Sequence, residues 1–217
     1  RDERVVDLGG AQFSQIAECS DMRSPTVSIR LAALVFALST GVAAAHEFTA
    51  AILVTGEESA ERLAEAVDGF LLAADEHDGH ADETSDGHLG GVDVQVLPLP
   101  LEMAGQVKGL SGRPAALANV VVVVGPAPEA VDGLAPLGPD SIVMTAGRLP
   151  RDWQDVAGAT SFVSRYVATY GKAPTEAAAL GYNAARRLDA AVRPLDGLEP
   201  RAAVSSALAE TEEAFDW

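Results

Sequence analysis

Residues 120–124 read VVVVV and are closed by Gly125-Pro126. β-Branched side chains crowd a helix but fit a pleated strand, and five in a row leave no polar face for water. The run is therefore a strand buried on both faces, the pattern of a parallel sheet with cover on either side. Upstream, VDVQVL at 92–97 alternates and reads as a second strand, ended by Pro98 and Pro100. The stretch 77–91, HDGHADETSDGHLGG, is polar and glycine-bearing and reads as a loop. Before it, Leu63, Ala66, Val67, Phe70, Leu71 and Ala74 recur at helical spacing within 57–75. TAAILVT at 49–55, closed by Gly56, is a buried strand.

Downstream, 101–107 and 128–137 read as short helices or turns, and SIVMT at 141–145 is a strand closed by Ala146-Gly147. From there only helix is expected. The first runs over 155–170, with Phe162, Val163, Tyr166 and Tyr170 on one stripe and Gly171 as its cap. The second runs over 175–192, opened by Thr175 and stopped by Pro194. A last helix spans 199–215, with Pro200 in its first turn. Strand–helix alternation followed by helices predicts an α/β fold, a Rossmann-like three-layer lobe with a parallel sheet of about four strands. Ligands of such sheets sit outside the carboxyl ends of the strands.

The 217 residues carry 32 Asp+Glu against 15 Lys+Arg, a net charge of -17, which repels a phosphate backbone and argues against a nucleic-acid partner. A single cysteine excludes an internal disulfide framework and any multi-cysteine metal site. Residues 1–21 lack sustained periodicity and read as an upstream segment. From Met22, with Arg23 and Arg30, the apolar run 31–39 and Ala43-Ala44-Ala45, the pattern is that of a secretory signal peptide over 22–45. The run is too short to span a bilayer. Cleavage after Ala45 is expected to leave a mature, periplasmic chain over 46–217, a single lobe with no membrane span.

Residues 162–192, FVSRYVATYGKAPTEAAALGYNAARRLDAAV, carry F-x-x-x-Y-x-x-x-Y-G-x-x-P followed by A-x-x-G-Y-x-A. This resembles the C-terminal signature of the type I periplasmic solute-binding proteins, the branched-chain amino acid-binding relatives of ABC importers. Ile52 to Gly56 looks like that family's first strand and turn, Gly69-Phe70 with 73–76 like its first helix, and 122–126 like its V-x-G-P turn. The family has two lobes that close on a ligand. Here 141–147 leads, through 148–161, straight into the C-terminal signature, so the resemblance implies one lobe in place of two. It implies a small-molecule solute such as an amino acid as ligand, an ABC transporter permease as a partner, and a homodimer held through the surface a second lobe would cover. The ligand-binding residues it implies are Thr55 and Gly56, then Gly125, Pro126 and Ala127, then Thr145 and Ala146. Backbone N–H groups and small hydroxyls at such turns can hold a carboxylate.

Two other readings stand beside it. His77, His80 and His88, with Asp82, Glu83 and Asp86 among them, offer imidazole and carboxylate donors suited to Cu or Zn, and His46 at the expected mature N-terminus adds an amine and an imidazole. A ligand-free interaction module is the third. No nucleophile elbow, H-E-x-x-H, P-loop or dinucleotide fingerprint is present, so no enzyme is expected. Phe162, Tyr166 and Tyr170 read as core, Trp153 and Trp217 as partner contacts or cover for the core edge, and Arg186-Arg187 as surface charges.

Overall fold

The computed structural model describes residues 47–76, 85–106, 118–126 and 141–217. Strand β1 (Glu47–Val54) leads into helix α1 (Ser59–Asp75). The two-residue strand β2 (His88–Leu89) and strand β3 (Val92–Leu99) follow, then a 3-10 turn (Leu101–Gln106). Strands β4 (Val120–Val124) and β5 (Ile142–Thr145) complete the sheet. Helices α2 (Phe162–Tyr170), α3 (Glu176–Val192) and α4 (Arg201–Glu210) end the chain. Residues 44–217 form one compact unit.

The sheet order is β2-β3-β1-β4-β5. Strands β3, β1, β4 and β5 are mutually parallel, and β2 adds an antiparallel edge. This is the expected α/β, Rossmann-like lobe with one strand more than the sequence predicts. The extra strand falls in the stretch read as loop, where Gly90-Gly91 turns His88–Leu89 back onto β3. The His88 Nε2 lies 2.6 Å from Asp93 Oδ1 across that hairpin. The buried Asp189 of α3 accepts a bond from Gly90 N at 2.7 Å, tying the turn to the helix layer.

The second strand does not stop at Pro98. Val94 N–H donates outward to Gly87 O and Val96 N–H to Asp86 Oδ2, so alternate residues of β3 direct their amides away from β1. Pro98 shares that parity. Its missing N–H falls on the outer side beyond the reach of β2, where no ladder bond is lost.

The valine run divides between two apolar clusters. Val120, Val122 and Val124 join Phe48, Ala50, Ile52 and Val54 beneath α1 and α3, while Val121 and Val123 join Ala51, Leu53 and Leu99 on the other face. All five valines are buried, as a strand with no polar face requires.

Helices α1 and α3 cross at unusually close range. A Cβ added at Gly69 would lie 1.9 Å from Ala178 O, and one added at Gly181 would lie 1.9 Å from Ala66 O. Reciprocal glycines therefore set the helix separation. Helix α3 buries nearly its whole circumference, including Asn183 and Arg187. Its Thr175 cap accepts from Ala178 N at 3.3 Å, as expected. Two helix ends differ from expectation. Helix α2 starts at Phe162 because Ser161 is its cap, accepting from Ser164 N, so 155–161 precedes the helix. Helix α4 ends at Glu210, and 211–217 runs on as a non-helical strap.

The chain's three tyrosines all turn their hydroxyls to carboxylates or carbonyls at the helix layer. Tyr166 reaches Asp68 Oδ2 at 3.3 Å, Tyr170 donates to Asp68 O at 2.7 Å, and Tyr182 donates to Glu76 Oε2 at 3.0 Å. Burial, reinforced by Asp68 and Glu76, pushes Tyr170 and Tyr182 up to about 12 and Tyr166 well above the ordinary phenol value. A folded pKa above the unfolded one stabilises the fold fully below the unfolded value, near 10, and that stabilisation is lost as pH rises through the folded value. Stability is therefore expected to fall from about pH 10 upward. Phenolate absorbance at 295 nm should then appear together with loss of circular dichroism. Tyrosine ionisation at pH 10 with the fold intact would refute this.

Candidate functional site

Chain direction singles out one end of the sheet as the candidate site. From β1 the chain passes to β3 on one side, and later to β4 on the other, so the strand order reverses between β1 and β4. In such sheets that reversal opens a crevice at the carboxyl ends of the strands. Thr55 and Gly56 follow β1 there, and Gly125 and Pro126 follow β4.

The crevice itself is closed. Thr55 is buried, its N–H donates to Val124 O at 2.9 Å, and its hydroxyl donates to Pro126 O at 2.8 Å. Arg62, from the first turn of α1, donates to Thr55 O at 3.2 Å. Gly125 has φ 117°, and a Cβ there would lie 2.7 Å from both Thr55 O and Thr55 Oγ1. Only glycine lets the two turns meet this closely.

The open space lies one strand further on. A cleft of about 400 Å³ is lined by Val123, Gly125, Thr145, Ala146, Gly147, Arg148, Leu180, Glu212 and Glu213. The structure thus brings Gly125, Thr145 and Ala146 together around one cleft. Thr55, Gly56 and Pro126 sit beside it at the closed crevice. Ala127 lies outside the described residues. The Ala146 N–H, expected to be available to a ligand, donates to Val123 O at 3.0 Å and continues the sheet ladder. The Thr145 hydroxyl donates to Glu212 Oε1 at 2.7 Å.

Three further residues build this end of the sheet. Arg187 corrects the sequence reading as a surface charge, for it is 1% exposed. Its guanidinium donates to Thr145 O at 2.7 Å, Leu208 O at 2.5 Å and Thr211 Oγ1 at 3.2 Å. Burial lowers its pKa below the ordinary arginine value, and the Glu212 carboxylate opposes that fall. Asn183, fully buried, donates from Nδ2 to Ala146 O at 2.8 Å and Arg148 O at 3.2 Å, and its Oδ1 accepts from Trp217 Nε1 at 2.5 Å. Arg148 places an exposed guanidinium at the rim, 3.7 Å from Glu213. Arg186, by contrast, ion-pairs with Glu76. Trp217 packs edge-on against Phe162 and Tyr182, at 5.4 and 4.8 Å between ring centres, and so covers the core edge.

Of the four histidines, His88 belongs to the β2–β3 hairpin, and His46, His77 and His80 lie outside the described residues. Among the described residues no group of three or more His, Cys, Asp or Glu is placed to hold a metal ion. Among the described residues no helix is long and apolar enough to cross a membrane.

No protein-family model and no curated protein matches the chain. Among solved structures it is similar to a branched chain amino acid ABC transporter periplasmic ligand-binding protein from Burkholderia xenovorans LB400. That likeness has 18% identity and a TM-score of 0.24, and covers 86% of this chain and 49% of that one. The chain therefore spans about half the length of that protein. A likeness of this size carries no weight for the fold or the function, which rest on the residues described above.

Proposed function

We propose that this lobe binds a small carboxylate-bearing solute, of the amino-acid class, in the cleft at the carboxyl ends of β4 and β5, and acts by binding alone. The observation that carries the reading is the convergence of Gly125, Thr145 and Ala146 with the Arg148 guanidinium around one cleft of about 400 Å³. That volume falls in the range of small-ligand sites, roughly 300–1,000 Å³. The Thr145 hydroxyl and the Arg148 guanidinium are the donors for the solute's carboxylate. The signal-peptide pattern at 22–45 adds an exported, periplasmic location, and the resemblance to the solute-binding proteins adds a transporter permease as the partner to test.

Calorimetric titration of the twenty amino acids tests the reading, with Arg148→Met as the site variant. Loss of a hydrogen bond to a charged group is worth about 1.5–3 kcal/mol, so affinity is expected to fall about tenfold or more. Arg201→Met is the control. Arg201 lines a separate cavity of about 420 Å³ at the opposite end of the sheet, with Glu47, Asn119 and Asp196. Weakening by Arg201→Met but not by Arg148→Met would move the site to that cavity. Absence of binding to all twenty would remove the reading.

A further inference from the structure

The two donors assigned to a solute's carboxylate already face carboxylates of the chain itself. Glu212 accepts the Thr145 hydroxyl at 2.7 Å, and Glu213 lies 3.7 Å from the Arg148 guanidinium. The Arg148 backbone N–H donates to Glu212 O at 2.8 Å, which fixes the segment across the cleft mouth. Five residues on, Trp217 is anchored by its indole N–H to Asn183, the side chain that also holds the Ala146 and Arg148 carbonyls. The strap 211–217 is therefore docked at the cleft by its acids and at the aromatic cluster by its tryptophan. One buried asparagine links the two points.

We infer that this strap is an internal competitor of the solute: Glu212 and Glu213 occupy the carboxylate-binding donors, and a solute binds only as the strap leaves. This rests on the proposed binding site and adds its regulation. Like charges reinforce the exclusion. A solute carboxylate entering beside the docked strap would face two carboxylates in a cleft whose only exposed cation among the described residues, Arg148, is shared with Glu213. The apparent affinity of such a site is the intrinsic affinity reduced by the fraction of molecules with the strap undocked.

The test uses the full chain carrying Trp153→Phe, which leaves Trp217 as the single tryptophan and a reporter of strap docking. L-leucine and acetate are the probes, the first a whole amino acid and the second a bare carboxylate. Glu212→Ala/Glu213→Ala is expected to bind L-leucine about tenfold more tightly, the gain when the undocked state is populated about one part in ten. L-leucine is also expected to shift Trp217 emission in the chain that keeps both acids. Removing Glu212 takes a nearby anion from the buried Arg187, so Trp217→Ala, which frees the strap and keeps both acids, serves as a second variant with the same expected gain. Equal calorimetric affinity in all three chains, with no change in Trp217 emission, would overturn the competitor and leave the binding site standing. Failure of both probes to bind any of the chains would overturn the binding site, and the competitor with it.

Discussion

Gly181→Val is expected to cost the fold about 4 kcal/mol or more, the range reserved for severe core lesions. The Cβ at 181 would lie 1.9 Å from Ala66 O, a backbone atom that no rotamer change can move aside. Helices α1 and α3 must separate instead, and that opens the layer holding Phe70, Ala178 and Tyr182 against the sheet. Glycine inside a helix is itself unfavourable by about 1 kcal/mol relative to alanine, so its presence at mid-α3 is accepted for the close approach it permits. Thermal unfolding should show a drop of about 8–16 °C or more, since 1 kcal/mol corresponds to about 2–4 °C for a domain of this size. Ala202→Val, on the exposed side of α4, should change stability by about 0.5 kcal/mol or less. A Gly181→Val protein melting within a few degrees of the parent would mean that the helices do not cross at this point.

Arg187→Met is the second large loss. The substitution keeps an unbranched apolar stem but removes the donors that satisfy Thr145 O and Leu208 O. A buried acceptor left unpaired costs about 1–3 kcal/mol. Two such acceptors are left, so a loss of about 2–6 kcal/mol is expected here. Arg187→Lys should rescue little, because one ammonium cannot reproduce a planar fork directed at β5, at the end of α4 and at Thr211 together. Urea unfolding measures the loss, and hydrogen exchange should locate the early opening at α4 and β5. Parental stability in Arg187→Lys would show that charge alone, without the fork, suffices.

The parallel strands were readable because β1, β4 and β5 are runs of β-branched or aliphatic residues closed by a turn signal near the carboxyl end, and β3 alternates. Helix α3 was readable from Thr175 and Pro194. The β2 strand was not, because two residues carry no periodicity and its Gly90-Gly91 turn looks the same as a loop. Pro98 misled because its effect depends on which side of the strand lacks a partner, a property of the assembled sheet. Arg186 and Arg187 are adjacent and chemically identical, yet helical geometry turns one toward Glu76 and the other into the core. With α3 buried on nearly every side, no stripe marks which arginine goes inward. The turns after β4 and β5 were legible as site candidates. The bond from Thr145 to Glu212 was not, since the TEEAFDW segment has no periodic pattern and its acids resemble any solvated acidic stretch.

The packing of α2 and α3 on α1 also fixes when this molecule can fold. Thr175 Oγ1 bonds Glu65 Oε2 across 110 residues of chain, and Tyr170 bonds Asp68 O across 102. Contacts that span so much sequence must close a long loop before they return any stabilisation, which places the fold among the slower ones. A growing chain that already holds β1, α1, β3 and β4 still lacks the helix that seals them. Until α3 is made, α1 and the sheet face beneath it lack the helix that completes their apolar cluster, so the half-made chain is the species most exposed to aggregation and most in need of a chaperone.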